Sequence, residues 1–212
     1  MHPSADLLLV LVTLTDFLIL GASRLTTCIR AIALQGLLLG ALPLALAEGW
    51  PPRIVALAAG SAIIKAVVLP WFLRRAIREA AVRREVEPRI GFTMSLILGT
   101  AAVAISFAVA QRLPLPEGGS ELLVPVALTT LISGLLILTT RIKAITQVVG
   151  YLMLENGIYL FGLISAERVP FLVEIGVMLD VFVGVFIMGI VVFHINREFD
   201  SISATRLSEL RD

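Results

Sequence analysis

Apolar stretches of about 20 residues, the length an α-helix needs to cross a bilayer, recur along nearly the whole chain. Seven are legible, at roughly 5–22, 27–47, 53–73, 91–111, 121–140, 147–166 and 171–194. Polar residues between them come in short clusters, and the longest, 74–90, is too short to fold as a soluble domain. Small residues sit at helix-packing spacing inside the spans: Gly36/Gly40 in the second, Ala56/Gly60 in the third and Gly176/Gly184 in the seventh. Such pairs let helix backbones approach closely. The pattern predicts an all-α integral membrane protein with about seven transmembrane helices.

Two punctuation points organise these spans. The stretch Arg112–Ser120 carries two prolines and two glycines and reads as an outer loop. It divides a four-helix block, 1–111, from a three-helix block, 121–194, which a tail follows at 195–212. Within 74–90 the pairs Arg75/Glu79, Glu79/Arg83 and Arg83/Glu87 are spaced four apart, which predicts a helix of self-compensating charge ended by Pro88. Such a helix lies at the headgroup surface or docks a neighbouring subunit. Pro70 falls where it can kink the third span.

Composition agrees: 58% of residues are hydrophobic and mean hydropathy is +0.98, well above soluble domains. Net charge is only +1, but its distribution is lopsided. With the N-terminus outside, thirteen Lys/Arg fall on the cytoplasmic side and three, Arg53, Arg112 and Arg168, on the other. The positive-inside rule then places the C-terminus in the cytoplasm, as an odd span count requires. Trp50 and Trp71 fall toward opposite ends of the third span, where interfacial aromatics belong. The alternative, a first segment cleaved as a signal peptide after Gly21-Ala22-Ser23, lacks the basic region such a peptide needs.

A single cysteine, Cys28, and two histidines at opposite ends, His2 and His194, leave too few ligands for an iron–sulfur, haem or zinc centre. No cofactor is expected, and Cys28 reads as a packing residue. No nucleophile–base pair or cofactor motif points to a membrane-embedded enzyme. Nothing points to nucleic acid; the partners implied are the lipid bilayer and other membrane proteins.

Candidate chemistry lies in four ionisable residues near mid-span: Asp16, Lys65, Glu155 and Asp180. A charge at a helix centre costs about 2.5–3.5 kcal/mol on insertion scales, so these groups must face protein or water, pair, or be neutral. Glu155 lies 13 residues before Arg168, in the turn between spans six and seven, and Asp180 lies 12 after it. In an antiparallel hairpin both carboxyls then sit about 18–20 Å below its outer end, at one level. Lys65, 12 residues into the third span, shares that depth. It either exchanges protons or pairs with Asp16, Glu155 or Asp180. Glu155 and Asp180 either relay protons or clamp helices by static hydrogen bonds. Asp16 lies about one and a half turns from the cytoplasmic end of its span and can snorkel to the surface, as can Arg30. Glu174, a turn from the outer interface, is an accessory proton uptake or release group or a plain interfacial carboxylate.

The segments GYLMLENG from Gly150 to Gly157, VMLDVFVG from Val177 to Gly184, and DSISATRLSELR from Asp200 to Arg211 resemble the K subunit of respiratory complex I. The C subunit of Mrp-type antiporters is related to that subunit. The four preceding spans, with SAIIKAVVLP from Ser61 to Pro70, resemble the E component of hydrogenase-4. The resemblance implies a non-redox membrane subunit of an energy-converting [NiFe] hydrogenase or formate hydrogenlyase assembly in a prokaryotic cytoplasmic membrane. Its implied partners are large antiporter-like subunits, a quinone-binding-type membrane anchor subunit and, indirectly, the hydrogenase large and small subunits. It gives Glu155 the role of the second-helix proton-transfer carboxylate and Asp180 that of the third-helix one. Asp180 stands where the complex I subunit usually has glutamate, and Lys65 has no counterpart in the three-span subunits. A stand-alone cation/proton antiporter, an ion-coupled uptake complex and a purely structural subunit remain as alternatives.

Overall fold

The computed structural model describes residues 3–47, 49–79, 86, 88–113 and 120–165, with Gly184 and Gly189. Apart from those two glycines, the expected seventh span and the tail lie outside the described residues. The described chain is helical: α1 (Pro3–Gly21), α2 (Leu25–Leu46), α3 (Pro52–Ile63), a π-helical turn (Ile64–Val68), α4 (Leu69–Glu79), α5 (Phe92–Ala110), α6 (Leu123–Thr140) and α7 (Ala144–Ser165). Among the described residues five stretches are long and apolar enough to cross a membrane: α1, α2, Ile54–Arg78, α5 and α6. The 22-residue α7 packs closely on α6. This is an all-α membrane protein.

Proline explains the most unusual backbone. Pro70 has no N–H to give the carbonyl four residues back, and its ring crowds that carbonyl. The helix answers by widening just before it: the Leu69 N–H reaches back five residues, to the Ile64 carbonyl. Backbone angles stay helical on both sides, so α3, the π turn and α4 continue one another. Such turns are frequent at functional sites, and this one contains Lys65.

Of the helix expected over 74–87, the part to Glu79 is helical within α4, and 80–85 and 87 lie outside the described residues. Val86 is not helical; it is buried, and its N–H donates to the Ser23 carbonyl at 2.9 Å. Pro88 forms a bridge with Arg141, and the Arg89 N–H donates to the Thr140 carbonyl. The passage into α5 thus satisfies a carbonyl of the α1–α2 turn and one at the end of α6 that helix geometry leaves open.

Glycine sets the interhelical spacing. A Cβ on Gly36 would come within 2.7 Å of Lys65 Cβ, and one on Gly40 within 2.6 Å of Ala62 Cβ, so α2 lies hard against α3 and the π turn. Gly134, Gly150 and Gly157 bring α6 and α7 together backbone to backbone. The small pair expected at Ala56/Gly60 makes no such contact: Ala56 is exposed and Gly60 faces open space among the described residues. Gly184 likewise has nothing described within 4 Å.

Two apolar clusters form the core. One joins Leu9 and Val12 of α1, Leu39 and Leu42 of α2, Val126 of α6 and Leu160 of α7. The other joins Ile19, Ile29, Leu73, Ile137, Val149 and Met153. On α1, α2, α6 and α7 the buried polar residues Asp16, Gln35, Thr130, Glu155 and Asn156 fall between the two in sequence. A polar layer therefore crosses the bundle between two dry ones.

Candidate functional site

Lys65 and Glu155 meet in that layer. Lys65 Nζ lies 2.5 Å from Glu155 Oε1, with side chains only 5% and 1% exposed. The pair joins residues 90 apart, from the π turn and the middle of α7. The π turn and the absence of a side chain at Gly36 carry the lysine into the bundle. The Tyr159 ring, one turn beyond Glu155, lies 5.7 Å from Lys65 Nζ. Desolvating two charges is repaid only by close contact and further favourable contacts; here the contact is close, and the Tyr159 ring adds a second one to the lysine. Beside the pair is a cavity lined by Ile32, Lys65, Leu69, Leu152 and Asn156, with space for about one water. A short ammonium–carboxylate contact next to such a space can pass a proton between nitrogen and oxygen.

Asp16 is the second node, and it does not snorkel. It is fully buried, one carboxylate oxygen accepting from Gln35 Nε2 at 2.6 Å and the other from Thr130 Oγ1 at 2.8 Å. Asn156 Nδ2 in turn donates to Gln35 Oε1 at 2.9 Å. The arrangement follows from packing, since α1 contacts α2 and α6 and so turns Asp16 toward them rather than toward the headgroups. Of the carboxylates open to Lys65 in the sequence, Asp16 and Glu155 are described, and of these two Lys65 meets Glu155. Asp180 and Glu174 lie outside the described residues.

Sequence reasoning missed Gln35, Thr130, Asn156 and Tyr159. The signal was there: Gln35 is a mid-span amide, Asn156 adjoins Glu155, and Tyr159 follows Glu155 by four. It also counted Arg141 among the cytoplasmic surface charges. That side chain is 1% exposed. Its Nη2 donates to the Leu20 carbonyl at 2.8 Å and to Ser95 Oγ at 3.3 Å, and its guanidinium lies 5.2 Å from the Phe92 ring. Arg141 is a staple between α1, α5 and the α6–α7 turn. Arg30 is exposed as expected, and Cys28 is a buried free thiol. Among the described residues no three His, Cys, Asp or Glu side chains assemble into a metal-ligand group.

No family model matches the chain, and no solved structure matches it. Curated relatives do. The chain is 34% identical over 203 residues to the uncharacterized protein Rv0085 of Mycobacterium tuberculosis, covering 94% of this chain and 92% of that protein. It is 28% identical over 154 residues to hydrogenase-4 component E of Escherichia coli K12, covering 72% of this chain and 71% of the relative. The same component of Shigella flexneri matches equally. The chain belongs to the membrane-protein family of Mycobacterium tuberculosis Rv0085, with hydrogenase-4 component E as a distant homologue.

Proposed function

We propose that this chain is a non-redox membrane subunit of a complex I-like energy-converting hydrogenase assembly, relaying protons and helping couple electron transfer in partner subunits to ion translocation. The observation that carries the reading is the buried Lys65–Glu155 pair at 2.5 Å; the similarity to a protein named hydrogenase-4 component E supports the setting. In the charged state the ammonium holds the proton and the carboxylate accepts its hydrogen bond. Transfer along that bond leaves an amine and a carboxylic acid, which cost less to keep in low dielectric. A charge arriving nearby shifts the balance between the two states, and the adjoining cavity has room for one water to accept the proton. Asp180 is the next carboxyl in this scheme, with Glu174 as an uptake or release group. The large antiporter-like subunits receive the proton laterally, beside a membrane anchor subunit of quinone-binding type.

The directness of the contact also favours a second reading, a permanent clamp that holds α7 against the π turn. Exchange of both partners separates the two. In the native assembly, Glu155→Gln should abolish proton translocation while assembly and hydrogen chemistry persist. Lys65→Gln combined with Glu155→Gln should leave translocation equally dead, because no exchangeable group is restored. Full translocation in the double variant, measured as proton release per hydrogen turned over, overturns the relay and establishes the clamp.

A further inference from the structure

The pair accounts for Lys65 and Glu155 but leaves Asp16 without a task. Among the described residues this carboxylate has no cationic partner, although it is fully buried. From the elements packed on α1, Gln35 of α2 and Thr130 of α6 meet it, both uncharged. The sequence of α5, also packed on α1, contains no ionisable residue. The Lys65–Glu155 pair lies beyond Gln35 and Asn156.

That set of neighbours satisfies two protonation states with the same heavy atoms. In the ionised state Gln35 Nε2 and Thr130 Oγ1 each donate to one carboxylate oxygen. In the protonated state the Asp16 hydroxyl donates to Thr130 Oγ1, because a threonine hydroxyl both donates and accepts. The amide goes on donating to the remaining carboxyl oxygen. Asn156 prevents that amide from turning over, since its donation to Gln35 Oε1 fixes which end faces Asp16. A permanent ion pair needs a countercharge, and a hard cation prefers oxygen ligands; the Gln35 end turned to Asp16 is a donor. A group that swaps a proton needs only what is here.

We propose that Asp16 is a second proton-exchanging carboxyl of this chain. Gln35, Thr130 and Asn156 are its positioning residues, and they couple it to the Lys65–Glu155 pair. The step needs one water molecule as acceptor, admitted when α1 parts from α2 and α6: the O–H bond at one carboxyl oxygen breaks, that water takes the proton, and the Thr130 hydroxyl turns to donate to the carboxylate. The N-terminal helices thereby take part in the relay instead of only supporting it. The idea deepens the proposed function and rests on it for its role in pumping, but not for the existence of the site.

Infrared difference spectroscopy of the full-length chain in lipid nanodiscs, with pH steps in potassium-only buffer, tests it. A protonated-carboxyl band that titrates, is present in wild type and in Glu155→Gln, and is lost in Asp16→Asn is the expected result. Thr130→Val should displace the midpoint of that band by about one unit, the scale of one hydrogen bond to a charged group, and Thr130→Ser should restore it. The Thr130 variants decide the matter if Asp16→Asn fails to fold. A spectrum that Asp16→Asn leaves unchanged at every pH overturns the proposal, as does a midpoint indifferent to Thr130→Val. A band that vanishes on adding sodium at constant pH overturns it in favour of a cation site. If Glu155→Gln pumps normally while the Asp16 band titrates, the relay reading fails and the Asp16 site stands.

Discussion

Single atoms decide the geometry around Lys65. Gly36 has no side chain, and its absent Cβ would lie 2.7 Å from Lys65 Cβ and 2.8 Å from the Lys65 carbonyl carbon. Neither atom is the far end of a flexible chain, so Gly36→Ala must push α2 away from the π turn. Overpacking of this kind costs about 1–3 kcal/mol, and here the displacement carries Lys65 with it. Gly60→Ala is the natural control, because the added methyl meets nothing described within 4 Å. We expect Gly36→Ala to lower the thermal midpoint of the purified protein and to impair proton translocation, and Gly60→Ala to leave both near wild type. Equal damage from the two would show that the Lys65 environment is not set by this contact. The depth of Lys65, Glu155 and Asp16 was readable from residue counting. Which carboxylate the lysine meets was not, because that depends on helix rotation, and one residue of helix turns a side chain by about 100°.

At the level of elements, the spans themselves were the most legible feature, since bilayer thickness fixes their length and their apolar character together. The contacts between them were less so. Gly36 and Gly40 were readable as a packing stripe, but Ala56 and Gly60 share the same spacing and face outward. Spacing shows that a close approach is permitted, not that a helix is there to make it. Arg141 shows the converse failure. Positioned just after α6, it reads as one more cytoplasmic charge, yet it turns inward and donates to the Leu20 carbonyl near the C-terminus of α1. A cation there meets the negative end of the helix dipole and an open carbonyl at once. Arg141→Ala should therefore cost about 1.5–3 kcal/mol, the scale of hydrogen bonds to charged groups. Arg141→Lys should recover only part of that, because an ammonium lacks the planar fork. Melting curves of the two variants in one detergent check this; identical midpoints for wild type and Arg141→Ala would remove the staple from the account.

For the whole molecule, the layering and the charge asymmetry make one joint claim. A polar layer lies between two apolar clusters on α1, α2, α6 and α7, which sets Asp16, Gln35, Thr130 and Glu155 at a common depth. Thirteen Lys/Arg against three predict a bundle with its N-terminus outside, an expectation that topology reporters test. The polar layer was only half visible beforehand, because the charged members announce themselves while Thr130 and Gln35 are ordinary in a helix until a carboxylate is seen to need them. Orientation matters to the proposed function: it decides from which side a proton would reach Asp16 and on which side the arginine-rich segment 74–90 falls. A fluorescent reporter that folds only in the cytoplasm, fused after Asp212, should be bright, and alkaline phosphatase at the same place should be inactive. Fusions truncated within 114–119 should give the opposite pair of results. A bright cytoplasmic signal at both positions would mean an even number of crossings between them, and the seventh span at 171–194 would have to be given up as a crossing segment. The depth of the Lys65–Glu155 pair would survive that outcome, since it follows from α2, α6, α7 and the π turn alone, but the side from which protons arrive would have to be reassigned.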